Sequence, residues 1–314
     1  MVGLKIGFLF PGQGAQYVGM GKEWGDRYET VRRYYEEADE RLGFSISKIC
    51  FDGPEETLTR TLYAQPAIFV TSLAIFSVIE ERLNGVKMEL ASGLSLGEFS
   101  ALVAARSLTF AEGLKLVKRR AELMECAASH TSGTMLSILG LNQTDCEQIA
   151  KESGAELANL NSPEQFVLSG EASAVEKAAA LAEKRGAKRA LRLKVGGAFH
   201  SALMGEAKEG LREALKKISI QSPQCIFIPN ACGEEVSDPE QIRVLLADQL
   251  TLPVQWIKTI QRAQNRGIRR FIEPGPGRVL KGLAKKIDAS VEVFSLDKIS
   301  DLETIESIFE QTKP

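Results

Sequence analysis

Histidine is nearly absent from this sequence: among 314 residues there are two, His130 and His200. A histidine-rich metal centre is therefore excluded. The five cysteines, at positions 50, 126, 146, 225 and 232, are odd in number and contain no C-x-x-C pair, so neither a disulfide framework nor a zinc site is written into the chain. A reducing cytoplasm is the expected setting, and no metal or organic cofactor is called for. Excess charge is missing too. Thirty-nine Lys+Arg against 41 Asp+Glu leave a net charge of −2, so no global positive field draws in a nucleic-acid backbone. Long hydrophobic runs are absent as well: the longest, Pro66 to Ile79, is about 14 residues broken by Thr71, Ser72 and Ser77, short of the ~20 that cross a bilayer. It reads as a core helix. The Lys5–Phe10 run is too short for a signal-peptide core and is cut off by Pro11-Gly12, which makes it a buried strand. No repeat period or low-complexity tract is present. A monomer without nucleic-acid or membrane partners is expected.

What is there is the composition of a globular protein, 44% hydrophobic and 25% charged. Short Val/Ile/Leu/Phe runs alternate with amphipathic stretches, the pattern of an α/β fold on a mostly parallel sheet. Strands are predicted at 5–10, 88–92, 225–229, 268–272 and 291–295, and helices at 30–42, 66–84, 98–105, 110–127, 238–248, 253–266 and 277–287. From 132 to 195 the texture changes to strand 133–140, helix 143–153, strands 155–160 and 165–170, helix 172–185 and strand 188–194. That βαββαβ order is the ferredoxin-like unit. The expected organisation is a large α/β-hydrolase-like domain of 1–131 and 196–314 with a small ferredoxin-like domain, 132–195, inserted into it.

Gly93-Leu94-Ser95-Leu96-Gly97 matches G-x-S-x-G, in which a sharp strand-to-helix turn lifts a serine hydroxyl to the mouth of a sheet. The pattern is short enough to arise by chance, but a predicted strand precedes it and a predicted helix follows. Serine is a poor nucleophile until a neighbour takes its proton, and histidine, with an unperturbed pKa of about 6.5, does this best. His130 sits in a polar, loop-like stretch and reads as a solvated side chain. His200, in Gly196-Gly197-Ala198-Phe199-His200-Ser201 between a strand and a helix, is the candidate base. Near the N-terminus, Pro11-Gly12-Gln13-Gly14 follows a strand; a dinucleotide loop fails there because G-x-G-x-x-G would need glycine at Tyr17. Such a turn is better suited to presenting backbone N–H groups to an oxyanion, one from Gln13 and a second from Leu96.

These motifs together resemble the malonyl-CoA:acyl carrier protein transacylases of bacterial fatty-acid synthesis. Phe10-Pro11-Gly12-Gln13-Gly14-Ala15-Gln16 resembles the family's opening motif, Gly93-Leu94-Ser95-Leu96-Gly97-Glu98 its serine elbow and Gly197-Ala198-Phe199-His200-Ser201 its histidine motif. Asn161-Ser162-Pro163, the segment Gln249–Trp256 and the segment Glu273–Leu280 are similar to later signatures. The resemblance implies that Arg120, 25 residues after Ser95, holds a substrate carboxylate. Chemically that fits, since a guanidinium stays charged and grips a carboxylate through two parallel hydrogen bonds. It also implies that Phe199 crowds out an α-methyl group and that a backbone carbonyl near Gln249, rather than a carboxylate, orients His200. One position departs from the pattern: Leu94 stands where the family usually has histidine.

The expected activity is malonyl transfer from malonyl-CoA to the phosphopantetheine thiol of an acidic acyl carrier protein. Lys184, Arg185, Lys188, Arg189 and Lys194 on the insert, with Lys281, Lys285 and Lys286 on the large domain, are the candidate docking cations. Three other readings remain open from the sequence: a trans-acting polyketide acyltransferase, an α/β-hydrolase thioesterase, and a non-enzymatic module built on the Gly12/Gly14 loop.

Overall fold

The run Ile6–Phe10 is buried at every position, as a strand covered by helices on both faces must be. It lies at the centre of a parallel sheet in a computed structural model that describes residues 5–82 and 87–310. Among the described residues the strands are β1 Ile6–Phe10, β2 Met88–Gly93, β3 Gly133–Leu139, β4 Glu156–Ser162, β5 Gln165–Glu171, β6 Arg189–Arg192, β7 Ile226–Phe227, β8 Arg270–Pro274 and β9 Glu292–Leu296. One sheet has the order β7-β2-β1-β8-β9, with every pairing parallel. The other, β4-β5-β3-β6, is antiparallel throughout.

The fold is thus mixed α/β, with a parallel sheet and a separate antiparallel one. The antiparallel sheet carries helices Gln143–Ser153 and Ala172–Lys184 between its strands, in the βαββαβ order read from the sequence. Leu136, Ile138, Ile149, Phe166, Leu168 and Val175 give it a core of its own. A short main-chain link ties it to the rest: Val254 N–H donates to the Ala158 carbonyl (2.8 Å) and Leu160 N–H to the Val254 carbonyl (2.9 Å).

Two predicted elements differ from what forms. The helix expected over 66–84 begins at Thr61 and is described to Arg82, with Pro66 inside it; positions 83 and 84 lie outside the described residues. An internal proline costs about 3 kcal/mol, but burying one Leu, Ile or Phe returns about 1.5–3 kcal/mol, and this helix is buried continuously from Ala64 to Ile79. At 22 residues it is long and apolar enough to cross a membrane by length and composition, yet it is packed inside the protein. The strand expected over 225–229 shrinks to Ile226–Phe227, because as an edge strand it has only β2 to pair with. Helices Lys22–Arg27, Ile46–Asp52, Glu55–Thr59 and Ile299–Glu310 were not anticipated. The other predicted helices and strands form within three residues of their expected ends.

Neighbouring strands β1 and β2 end side by side, and beyond their carboxyl ends lie the Gly12–Gly14 turn and the Leu94–Leu96 turn. Carboxyl strand ends of open parallel sheets are where ligands bind.

Candidate active site

Strand β2 ends at Gly93 and the next helix starts at Gly97, leaving three residues to reverse the chain. Ser95 absorbs the strain, with φ at +51°, a left-handed conformation rare for a residue bearing a Cβ. The turn closes only because its flanks are glycine: a Cβ on Gly97 would overlap the Phe10 carbonyl, and one on Gly93 would overlap the Gly97 carbonyl. Asn230 pins it from outside, its Oδ1 accepting from Ser95 N–H (2.5 Å) and its Nδ2 donating to the Gly93 carbonyl (2.7 Å). The serine hydroxyl is thereby aimed into a cleft of about 500 Å³. Gln13, Ser95 and His200 line one side of it; Ser137, Asn161 and Val167 of the antiparallel sheet line another.

His200 is also held at positive φ, +57°. Its Nε2 lies 2.8 Å from Ser95 Oγ and its Nδ1 2.7 Å from the Gln249 main-chain oxygen. A carbonyl can only accept, so the proton sits on Nδ1 and the Nε2 lone pair faces the serine. Burial, reinforced by the Arg120 charge and opposed by the Gln249 carbonyl, lowers the His200 pKa to about 4. The ring is therefore neutral at neutral pH, the state a general base needs.

Arg120 is 1% exposed. Its Nη2 donates to Ser95 Oγ (2.9 Å) and to Gln249 Oε1 (2.8 Å), and its Nη1 to Gln65 Oε1 (2.7 Å). Burial lowers its pKa to about 10, with Glu98 opposing the shift, so the cation survives at neutral pH. Such a group can hold an anionic acyl substituent beside the serine and lower the energy of a developing alkoxide.

Around the turn, the N–H groups of Gln13 and Leu96 make no hydrogen bond among the described residues. Leu96 immediately precedes helix Gly97–Ala104, whose N-terminal dipole adds positive potential there. Two free donors and a helix terminus suit a tetrahedral oxyanion. Phe199 is buried and lines the cleft; Leu94 lines it too and packs against the apolar cluster beneath the parallel sheet. His130 lies apart from this group, exposed and 3.6 Å from Glu206.

Ser95, His200, Arg120 and Gln249 thus share one hydrogen-bonded network. Gln65, Asn230 and Glu98 join it through hydrogen bonds to Arg120, Ser95 and Gln249, and all three were missed by sequence reasoning. Gln65 and Asn230 carry no local signal, being a polar residue in an apolar helix and an asparagine in a loop. Glu98 stood inside the quoted serine motif, but nothing in its spacing assigned it a part.

A family model described as the acyl transferase domain matches residues 7–292. The chain belongs to this acyl transferase family. It is 40% identical over 314 residues to the malonyl CoA-acyl carrier protein transacylase of Bacillus subtilis strain 168, covering 98% of each chain. Among solved structures, this acyl transferase is similar to the malonyl CoA-acyl carrier protein transacylase of Clostridium perfringens ATCC 13124, at 38% identity and a TM-score of 0.93 over 98% of each chain. It is also similar, at 35% identity and a TM-score of 0.94 over 97% of this chain and 99% of the other, to a malonyl-transacylase solved in complex with its type II polyketide acyl-carrier protein.

Proposed function

We propose that this acyl transferase moves the malonyl group of malonyl-CoA to the phosphopantetheine thiol of an acyl carrier protein through a malonyl ester on Ser95. His200 Nε2 takes the serine proton as Oγ attacks the thioester carbonyl, and the Gln13 and Leu96 N–H groups receive the oxyanion. Collapse expels coenzyme A, whose sulfur takes the proton from His200. The carrier thiol then enters, gives its proton to His200 and attacks the ester; collapse returns a proton to Ser95 Oγ. Arg120 holds the distal carboxylate throughout, giving up its bond to the serine hydroxyl as that oxygen becomes an ester. Phe199 narrows the space beside the α-carbon against a methyl branch.

The observation that carries this reading is the buried Arg120 guanidinium 2.9 Å from Ser95 Oγ. A hydrolase needs a serine and a base. A buried cation beside them is useful when the acyl group itself bears a carboxylate.

Segment 132–195 acts here as an inserted unit on a hydrolase-like body formed by 1–131 and 196–314, and the cleft between them keeps water from the ester. The enzyme works as a cytoplasmic monomer. Docking of the carrier falls to the cations at the cleft rim, above all Lys194, which lines it. Arg185 and Lys188 are already paired with Glu152 and Glu164, leaving them a smaller part. A polyketide carrier is the second reading, favoured by the similar transacylase solved with such a partner.

The test is intact-protein mass spectrometry after brief exposure to malonyl-, acetyl- or methylmalonyl-CoA, followed by addition of fatty-acid or polyketide carrier. A malonyl adduct absent from Ser95→Ala and discharged onto a carrier is expected. Release of free malonate with no adduct and no carrier product would make the enzyme a thioesterase instead.

A further inference from the structure

Glu98 is fully buried, and its Oε2 accepts from Gln249 Nε2 (2.6 Å) and Asn230 N–H (3.0 Å). Both donors reach onward to the reacting groups. Asn230 holds the Ser95 turn at Ser95 N–H and the Gly93 carbonyl. Gln249 also donates to the Ser95 carbonyl (3.0 Å), accepts from Arg120 and orients His200. One carboxylate oxygen therefore ties together the turn, the base and the clamp. A buried guanidinium needs an opposite charge, and Glu98 is the carboxylate whose field acts on Arg120.

We propose that Glu98 is a positioning residue and the resident counter-charge of Arg120, keeping the clamp in register with Ser95 and His200 in the empty enzyme and taking a proton from solvent when the malonyl carboxylate arrives. This rests on the malonyl reading above. Two carboxylates around one buried guanidinium leave an excess negative charge in a site of low dielectric, and protonation of the one that is not substrate removes it. Glu98 Oε1 accepts no hydrogen bond among the described residues, so the proton has a free lone pair to occupy. Burial has already pushed the Glu98 pKa up to about 7, against the opposing hydrogen bonds and the Arg120 charge. Cys232 also stands in its field, its thiol raised by burial first and by Glu98 second; Lys258 acts on Cys232 in turn, and His200 lies beyond Gln249 on the same hydrogen-bonded network.

The experiment compares wild type, Glu98→Gln and Glu98→Ala in malonyl and acetyl loading between pH 5.5 and 8.5, with Tm recorded for each. An amide oxygen keeps both accepted bonds but carries no charge. Glu98→Gln is therefore expected to lower the KM for malonyl-CoA about tenfold above pH 7, to flatten its pH dependence and to leave the acetyl-CoA KM within twofold. Glu98→Ala loses both bonds, and kcat is expected to fall about 100-fold with either donor. Wild type mixed with malonyl-CoA in weak buffer takes up more protons than with acetyl-CoA, a readout that needs no variant to fold. A malonyl KM and pH profile unchanged in Glu98→Gln, equal changes for both donors that track Tm, or equal proton uptake with both donors would each overturn the inference alone. A wild type that forms no malonyl adduct would overturn the malonyl reading and this inference with it.

Discussion

The imidazole of His200 is oriented by a main-chain atom: its Nδ1 lies 2.7 Å from the carbonyl oxygen of Gln249. Serine and histidine form a pair completed by a backbone acceptor, and among the described residues no carboxylate is hydrogen-bonded to the ring. Histidine supplies the proton transfer in both halves of the proposed reaction, and such general bases contribute about 10²–10⁴-fold. His200→Ala is expected to slow Ser95 malonylation by that factor in quenched-flow mass spectrometry while the protein keeps its fold. A loss under fivefold would mean that another group takes the serine proton.

Because the His200 pKa is lowered to about 4, the acid limb of loading lies unusually low. At saturating donor, where the KM effect of Glu98 drops out, loading should stay level from pH 8 to about 5.5 and fall as pH approaches 4. The sign for stability follows from the same shift. An unfolded histidine binds its proton near pH 6.5 and the folded one only near 4, so between these values the unfolded state holds more protons and stability is lost as pH falls. Glu98 acts oppositely, its pKa raised from 4.5 to about 7: the stability it contributes is complete below 4.5 and is lost as pH rises through about 7. Comparing wild type with His200→Gln isolates the histidine, and the Tm advantage of wild type should shrink between pH 6.5 and 4. An acid limb near 6.5 would show the ring solvated in the working enzyme.

How much of this was legible beforehand depends on the range of the interaction. Gly93-Leu94-Ser95-Leu96-Gly97 announces itself because its constraints are local: a strand, a turn too tight for a Cβ, a helix. The βαββαβ run from β3 to β6 is legible for the same reason, each element being amphipathic over its own length. Gln65, Asn230 and Glu98 were not legible, since their partners lie 55, 135 and 151 residues away at Arg120, Ser95 and Gln249. The early start of the Thr61–Arg82 helix escaped because local rules end a helix at proline, whereas burial on every side carries this one past Pro66.

The Ser95 turn offers a stability test that alters none of the reacting side chains. A Cβ on Gly97 would overlap the Phe10 carbonyl, a backbone atom of the central strand with no room to yield. Overpacking of this kind costs about 1–3 kcal/mol, and at roughly 2–4 °C per kcal/mol a Gly97→Ala variant should melt several degrees lower. Loading should fall with it, because Ser95 Oγ is displaced from His200. Gly154→Ala is the control: its strain comes from a positive φ, +84°, rather than from a clash, and it lies outside the site with no neighbour near its Cβ, so it should lose stability without losing selectivity between donors. Equal Tm for Gly97→Ala and wild type would show that the turn relaxes more readily than its geometry implies.

In the proposed function Arg120 is the group that discriminates between acyl groups, and its geometry sets what each substitution should do. Its guanidinium is fixed by Gln65 on Nη1 and Gln249 on Nη2, which leaves its plane held while a carboxylate approaches. Lysine at this position would keep the charge but lose the paired donors, since an ammonium is a point charge without a planar fork. Removing one partner of a buried, hydrogen-bonded charge pair costs about 2–5 kcal/mol, or roughly 30- to 5,000-fold in rate at 1.36 kcal/mol per tenfold. Malonyl transfer in Arg120→Ala is therefore expected to drop by at least about 30-fold. Acetyl transfer should fall far less, because an acetyl group never used the guanidinium and gains a pocket without a buried cation to desolvate. Arg120→Lys should fall between the two for malonyl. The malonyl-to-acetyl ratio, measured in one competition assay with both donors present, cancels any general loss of activity. A ratio unchanged in Arg120→Ala would leave the guanidinium a structural tie between the Thr61–Arg82 helix and Gln249, with acyl choice made elsewhere in the cleft.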